Sequence, residues 1–270
     1  MSDVTRASAG PAVRFAHDGA VGTITLDRPD NRNSMTAELL DAFATALAAA
    51  RAVPELRCLI ITGTGASFSA GADFKAMLQR EDAGRPLAPH EKSLAMYAPF
   101  LAVLDVDVPV IGALNGHAVG GGFGLALCCD LRIAALEGRY GANFARLGLH
   151  PGMAITHLLP RLVGVANAAE LLYTGRLVDG HEAARMGLAS EALPAAEVLP
   201  RAQAIAQTIA SNAPGPLRTI KRALNRGLGA AARDAALAEA FAQSESLATS
   251  DAAEGIAALL GKRPPSFTGR

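Results

Sequence analysis

The chain has no tryptophan, only three cysteines and no net charge across its 270 residues. Each shortage removes a class of explanation. Lys and Arg total 25 and Asp and Glu total 25, so charge gives no reason to expect a nucleic-acid or anionic-membrane partner. Cys58, Cys128 and Cys129 have no metal-ligand or disulfide spacing, so no metal site is expected. The adjacent pair sits in an apolar run and reads as buried thiols. The longest apolar stretch, about 119–129, stops at Asp130 and is too short to span a bilayer. The opening Met-Ser-Asp-Val-Thr-Arg has no apolar signal core. A cytoplasmic location is the expectation.

Half of the residues are hydrophobic, and alanine is heavily used. That balance favours a helix-rich globular protein with a sizeable core. Val21 to Leu26 alternates as a strand does, and a turn over 28–33 follows. Asn33 or Ser34 is placed to cap a helix running to about Arg51. Leu56 to Thr62 reads as a buried strand entering a glycine turn, and the polar stretch 79–92 reads as a loop. Helix is expected over 93–106, strand over 108–114, helix after Gly120 and strand over 131–135. Such alternation argues for an α/β fold built on crossover units. Strand signals fade after Val163, and helices are expected over 199–209, 216–226 and 230–247. The chain divides into an α/β core over 1–198 and a helical C-terminal region over 199–270.

Two segments carry the chemistry. They are Gly63-Thr-Gly-Ala-Ser-Phe-Ser-Ala-Gly-Ala-Asp-Phe-Lys75 and Asn115-Gly-His-Ala-Val-Gly-Gly-Gly-Phe-Gly124. Glycines let backbone approach a ligand with no Cβ in the way. A glycine triplet between strand and helix also aims a helix N-terminus at an anion. Each cluster alone is equally a tight strand–helix turn. The dinucleotide fingerprint, the phosphate loop, the nucleophile elbow and the His-Glu-x-x-His zinc site are all absent.

Taken together and in this order, the segments resemble the crotonase (enoyl-CoA hydratase/isomerase) superfamily. Leu26-Asp-Arg-Pro-Asp-Asn-Arg-Asn-Ser-Met35 looks like its early CoA-contacting turn, and Ser69 to Lys75 like its first oxyanion segment. Residues 172–176, 183–188 and 254–267 match its later signatures. The resemblance implies a spiral of β-β-α units with a helical C-terminal trimerisation region, assembled as a homotrimer or a dimer of trimers. It implies an acyl-CoA thioester as substrate and no cofactor beyond that CoA. It assigns the two oxyanion donors to the N–H groups of Ala72 and Gly121. It places the CoA moiety against Asn31, Arg32, Asn33, Ala70, Asp73, Phe74 and Lys75, with Lys262 near the phosphates.

The chain departs from the pattern at the acyl end. A hydratase of this family is expected to hold two carboxylates, one to activate water and one to deliver a proton. Their positions fall on Gly124 and Phe144, and neither residue can transfer a proton. Gly124 and Gly152 suggest room near the thioester. Replacing Gly124 and Phe144 together by glutamate is expected to confer hydration. His150, in Leu147-Gly-Leu-His-Pro-Gly152, is the candidate acid or base near neutral pH, although a loop histidine bonded to backbone fits as well. An oxyanion hole without the carboxylates suits decarboxylation, thioester hydrolysis or C–C cleavage. The alternatives are an enoyl-CoA hydratase of fatty-acid degradation with unrecognised acid/base residues, and a noncatalytic acyl-CoA binding protein.

Overall fold

A computed structural model describes residues 10–72 and 87–270. Its architecture is mixed α/β. The chain opens with β1 (Val13–Asp18), β2 (Val21–Leu26) and α1 (Ala37–Arg51). Next come β3 (Cys58–Gly63), β4 (Ser67–Ser69) and α2 (Pro89–Leu101), then β5 (Val110–Leu114), β6 (His117–Val119) and α3 (Gly121–Cys128). The last strand pair before the helical part is β7 (Leu131–Ala135) and β8 (Tyr140–Gly141). After them follow α4 (Ile155–Val163), α5 (Val165–Thr174), α6 (Gly180–Arg185), β9 (Glu191–Leu193), α7 (Ala195–Ala210), α8 (Pro214–Leu224), α9 (Leu228–Leu247) and α10 (Ser250–Leu260).

Successive strand pairs are shared between two sheets, which makes the spiral. The larger sheet runs β1-β2-β3-β5-β7-β9, antiparallel only between β1 and β2. The smaller sheet is parallel, in the order β4-β6-β8. Side chains of β3 alternate between two cores, as the period of a strand requires. Leu59 and Ile61 face α1, whose Leu39, Leu40, Phe43 and Leu47 form a helical-period stripe. Phe43 meets Phe100 of α2 edge to face, with ring centroids 4.9 Å apart. Cys58 and Ile60 face the other way, onto Val198, Ala202, Ala206 and Ala210 of α7. Small residues four apart let that helix lie close on the sheet.

These details amend several expectations. The cap of α1 is Thr36, whose side chain accepts from the Leu39 N–H, not Asn33 or Ser34. Helix α2 begins earlier than expected, at Pro89, and ends in a 3-10 turn over Ala102–Asp105. The position 198/199 lies inside α7, which packs on the sheet through Val198, Ala202, Ala206 and Ala210. Strand β9 has no clear signal in the sequence because its three residues are all only half-buried. Asp130 is a structural junction: its carboxylate accepts from the Val110 N–H at 2.7 Å and pairs with Lys221 of α8 at 2.8 Å.

All three cysteines are free and buried. Burial pushes the Cys58 and Cys129 thiols up to about 12 and raises Cys128 as well. They behave as small core residues. Among the described residues no helix is long and apolar enough to cross a membrane.

Candidate functional site

Strands β4 and β6 are parallel neighbours, with Ser67 opposite His117 and Ser69 opposite Ala118. Their C-terminal ends therefore release the two glycine segments side by side. After β4 the chain is tied to the early turn. Ala70 N–H donates to Arg32 O at 3.0 Å, Met35 N–H to Gly71 O at 2.8 Å, and Ser69 Oγ to Asn33 O at 2.8 Å. After β6, Gly120 takes φ 57° and ψ −123°, a conformation that effectively requires glycine, and opens α3.

The contact between the segments leaves no space for side chains. A Cβ on Gly71, where φ is +79°, would lie 2.6 Å from Val119 O and 2.9 Å from the Gly121 nitrogen. A Cβ on Gly122 would lie 2.3 Å from Ser69 O. The N–H groups of Ala72 and Gly121 have no hydrogen-bond partner among the described residues. Two free donors on touching segments, one at a helix N-terminus, can receive a carbonyl oxygen that gains negative charge.

The acyl end is apolar. Phe144 opens a 3-10 turn, and its ring Cζ lies 3.7 Å from where a Cβ of Gly120 would stand. The space suggested by Gly124 is filled: Met153 Cβ, Cγ and Cε lie 2.5, 3.0 and 3.3 Å from a Cβ built there. The Tyr97 hydroxyl, at 2.2 Å, fills the corresponding space at Gly152. Neither glycine therefore opens a pocket in the direction of its missing side chain. Met35 Sδ, 2.2 Å from a Cβ placed on Gly121, completes the apolar surface.

His150 is half-buried, and its Nδ1 lies 2.7 Å from Pro151 O. A carbonyl only accepts, so Nδ1 carries the proton in this contact. Its main chain is held by α9: its N–H donates to Ser246 Oγ at 3.1 Å, and Gln243 Nε2 donates to its carbonyl at 3.2 Å. His117 Nδ1 and His157 Nε2 are buried without a partner among the described residues.

The structure ties Ala70 to the turn that carries Asn31, Arg32 and Asn33, and sets Gly71 against Gly121, Phe144 beside Gly120, Gly124 against Met153 and Gly152 against Tyr97, while His150 is held by α9. The Asn33 side chain, however, points inward. Its Nδ2 donates to Thr64 O and Ser67 O, and its Oδ1 accepts from the Arg28 N–H. It is fully buried and holds the Gly63 turn, and its own N–H and carbonyl are taken by Arg28 O and Ser69 Oγ, so neither its side chain nor its backbone is offered to a ligand. Asn31 turns its Oδ1 back onto the Ser34 N–H at 3.2 Å. Arg32 is exposed at φ 60°. Lys262 is exposed beyond α10 and makes no hydrogen bond to these segments. Asp73, Phe74 and Lys75 lie outside the described residues. No group of His, Cys, Asp and Glu among the described residues could hold a metal ion.

Four side chains at this end escape sequence reading: Met35, Tyr97, Met153 and Glu239. Glu239 alone leaves a trace. It falls on the same helical stripe as Ala232, Ala236, Ala240 and Gln243, an inward position for a carboxylate.

Comparison with known proteins finds relatives along nearly the whole chain. A family model described as enoyl-CoA hydratase/isomerase matches residues 16–270. The chain is 36% identical over 253 residues to a probable enoyl-CoA hydratase of Mycobacterium bovis, covering 94% of this chain and 96% of that one. It is 37% identical over 248 residues to a crotonyl-CoA hydratase of Syntrophomonas wolfei, covering 92% and 94%. Among solved structures, a carnitinyl-CoA hydratase of Mycobacterium avium superposes with a TM-score of 0.87 at 33% identity, covering 97% of this chain and all of that one.

Proposed function

Since this chain belongs to the enoyl-CoA hydratase/isomerase family, we propose that it binds an acyl-CoA thioester and stabilises an enolate with the N–H groups of Ala72 and Gly121, without the carboxylate pair of a hydratase. The observation that carries this reading is the contrast within the site. Two free backbone donors stand at one end, and Phe144 and Met153 occupy the other. The CoA moiety lies along the 31–33 turn, with Lys262 offered to its phosphates. Exposed Ile220, Leu224 and Tyr173 on the later helices supply apolar surface for a homotrimer.

Among enolate reactions, decarboxylation asks least of the side chains. The bond between the α-carbon and a carboxylate breaks, CO₂ leaves, and the electron pair passes through the α-carbon onto the thioester oxygen. Two preorganised donors offset that charge, and each is worth about 10²–10³ in rate. Phe144 and Met153 disfavour the charged carboxylate of the ground state more than the spread charge of the transition state. Protonation of the α-carbon follows from solvent or from His150.

Crotonyl-CoA hydration, acetyl-CoA calorimetry and CO₂ release from malonyl-CoA on one preparation test the reading. Binding with little hydration supports it, and CO₂ release fixes the reaction. Robust hydration supports the second reading, a true enoyl-CoA hydratase, which the names of the relatives favour. No CoA binding at all rejects both.

A further inference from the structure

Helix α9 grips the acyl-side loop at three points along one of its faces. Ser246 and Gln243 hold the main chain of His150. One turn earlier, Glu239 Oε1 accepts from the Thr156 N–H at 2.8 Å and from Thr156 Oγ1 at 2.5 Å. The Ala154 N–H is directed at the same carboxylate. Between these grips, Met153 and Ala154 take φ +68° and +56°. Left-handed backbone is disfavoured for a non-glycine residue, so consecutive positions of this kind persist only where other contacts impose them.

Helix α4 also needs the contact. Its N-cap is Ala154, which has no side-chain acceptor for the first free N–H groups. Glu239 supplies that acceptor from another helix, and its carboxyl oxygen lies at the positive end of the α4 dipole. The residue is 2% exposed, and its Oε2 has no partner among the described residues. A carboxyl buried at that cost needs a local reason, and the strained turn it holds provides one.

We infer that Glu239 is a positioning residue that locks the left-handed Met153–Ala154 turn, and that Met153, so held over Gly124, limits the bulk of the acyl group at the thioester. This rests on the acyl-CoA reading above. The three atoms nearest a Cβ built on Gly124 all belong to the Met153 side chain. A side chain absent from the helix is thus replaced by one from the loop, and the loop keeps that shape only while α9 holds it.

The test measures dissociation constants for CoA, acetyl-CoA and isobutyryl-CoA by calorimetry. Wild type, Met153→Gly, Glu239→Ala, the double variant and Glu239→Gln are compared. Met153→Gly should improve isobutyryl-CoA relative to acetyl-CoA about tenfold or more, the scale of a methylene-sized change in an apolar pocket, with CoA itself unchanged. Glu239→Ala should shift the same ratio in the same direction. In the Met153→Gly background it should add nothing, because it acts through that side chain. Glu239→Gln keeps the Oε1 acceptor and should behave as wild type. A Met153→Gly ratio equal to wild type overturns the inference even if Glu239→Ala fails to fold. Additive effects, or a Glu239→Ala change that falls equally on CoA and both acyl-CoAs, overturn the positioning role. Wild type that binds no CoA rejects the acyl-CoA reading itself, a result distinct from intact CoA binding without coupling.

Discussion

The two ends of the candidate site are built from different material. The donor end is backbone: Gly71, Gly120, Gly121 and Gly122, carried on the edges of two parallel strands. The acyl end is side chain: Phe144, Met153 and Tyr97, each held from the helical half of the chain or from a helix packed on it. Gly148 and Gly255 let α10 lie directly on the turn that begins at Phe144, and α9 grips the loop that carries Met153. Backbone geometry tolerates almost no substitution, whereas a side-chain wall can be rebuilt. The comparison teaches where this fold can change its chemistry. The donors are fixed, and the opposite wall is set by contacts with later helices.

Breaking the donor end should have the largest effect. Gly71→Ala puts a Cβ into backbone at a φ of +79° and pushes the two segments apart. Turnover should fall by about 10²–10³, the scale of losing one oxyanion donor. Infrared spectra of bound [1-¹³C]acetyl-CoA should lose the carbonyl shift expected for wild type. An unchanged shift would dissociate these glycines from carbonyl polarisation. Next in size is Asn33→Ala, which leaves Thr64 O, Ser67 O and the Arg28 N–H without their partner. Urea unfolding should show a loss of about 2–3 kcal/mol. Unaltered stability would mean the turn does not depend on that buried amide.

The acyl end should respond only to a concerted change. Glutamates at 124 and 144 alone should give little hydration, because Met153 blocks a side chain at 124. Adding Met153→Gly frees that space and relieves a left-handed residue. Crotonyl-CoA hydration by this triple variant should exceed that of the double by at least about tenfold. Equal activity of the two would show that Met153 is not the obstacle.

The same division explains what could be read from the sequence. Both glycine segments and the longer strands β3 and β5 before them are legible because each depends on residues adjacent in the chain, whereas the three-residue strands β4 and β6 that release the segments leave no such pattern. Glycine runs and alternating strands are local patterns. Met153 is silent because its position depends on Glu239, which lies far along the chain on an alanine-rich helix. The room suggested by Gly124 was likewise a local reading, and a distant side chain fills it. Asn33 looked like a ligand contact for the same reason: the carbonyls it serves belong to residues 64 and 67.

The smallest expected effect concerns Glu239 and pH. Burial raises its carboxyl above the ordinary value of 4.5, against the lowering effect of the Thr156 and Ala154 donors and of His150. A raised acid keeps its proton in the folded state while the unfolded chain releases it. As pH climbs from about 4.5 toward the folded value, the unfolded state therefore binds fewer protons, and stability declines. Glu239→Gln cannot ionise and escapes that decline while keeping the Oε1 contact. Tyr97, the other titratable group beside this site, is itself raised by burial and stays a phenol. The melting temperature of Glu239→Gln relative to wild type should therefore be more favourable at pH 7 than at pH 4, as calorimetry across that interval would show. A difference that is flat or reversed would mean that the carboxylate is stabilised where it lies. The positive end of α4 would then hold a charged anchor, and the grip of α9 on the acyl loop would be electrostatic and sensitive to salt.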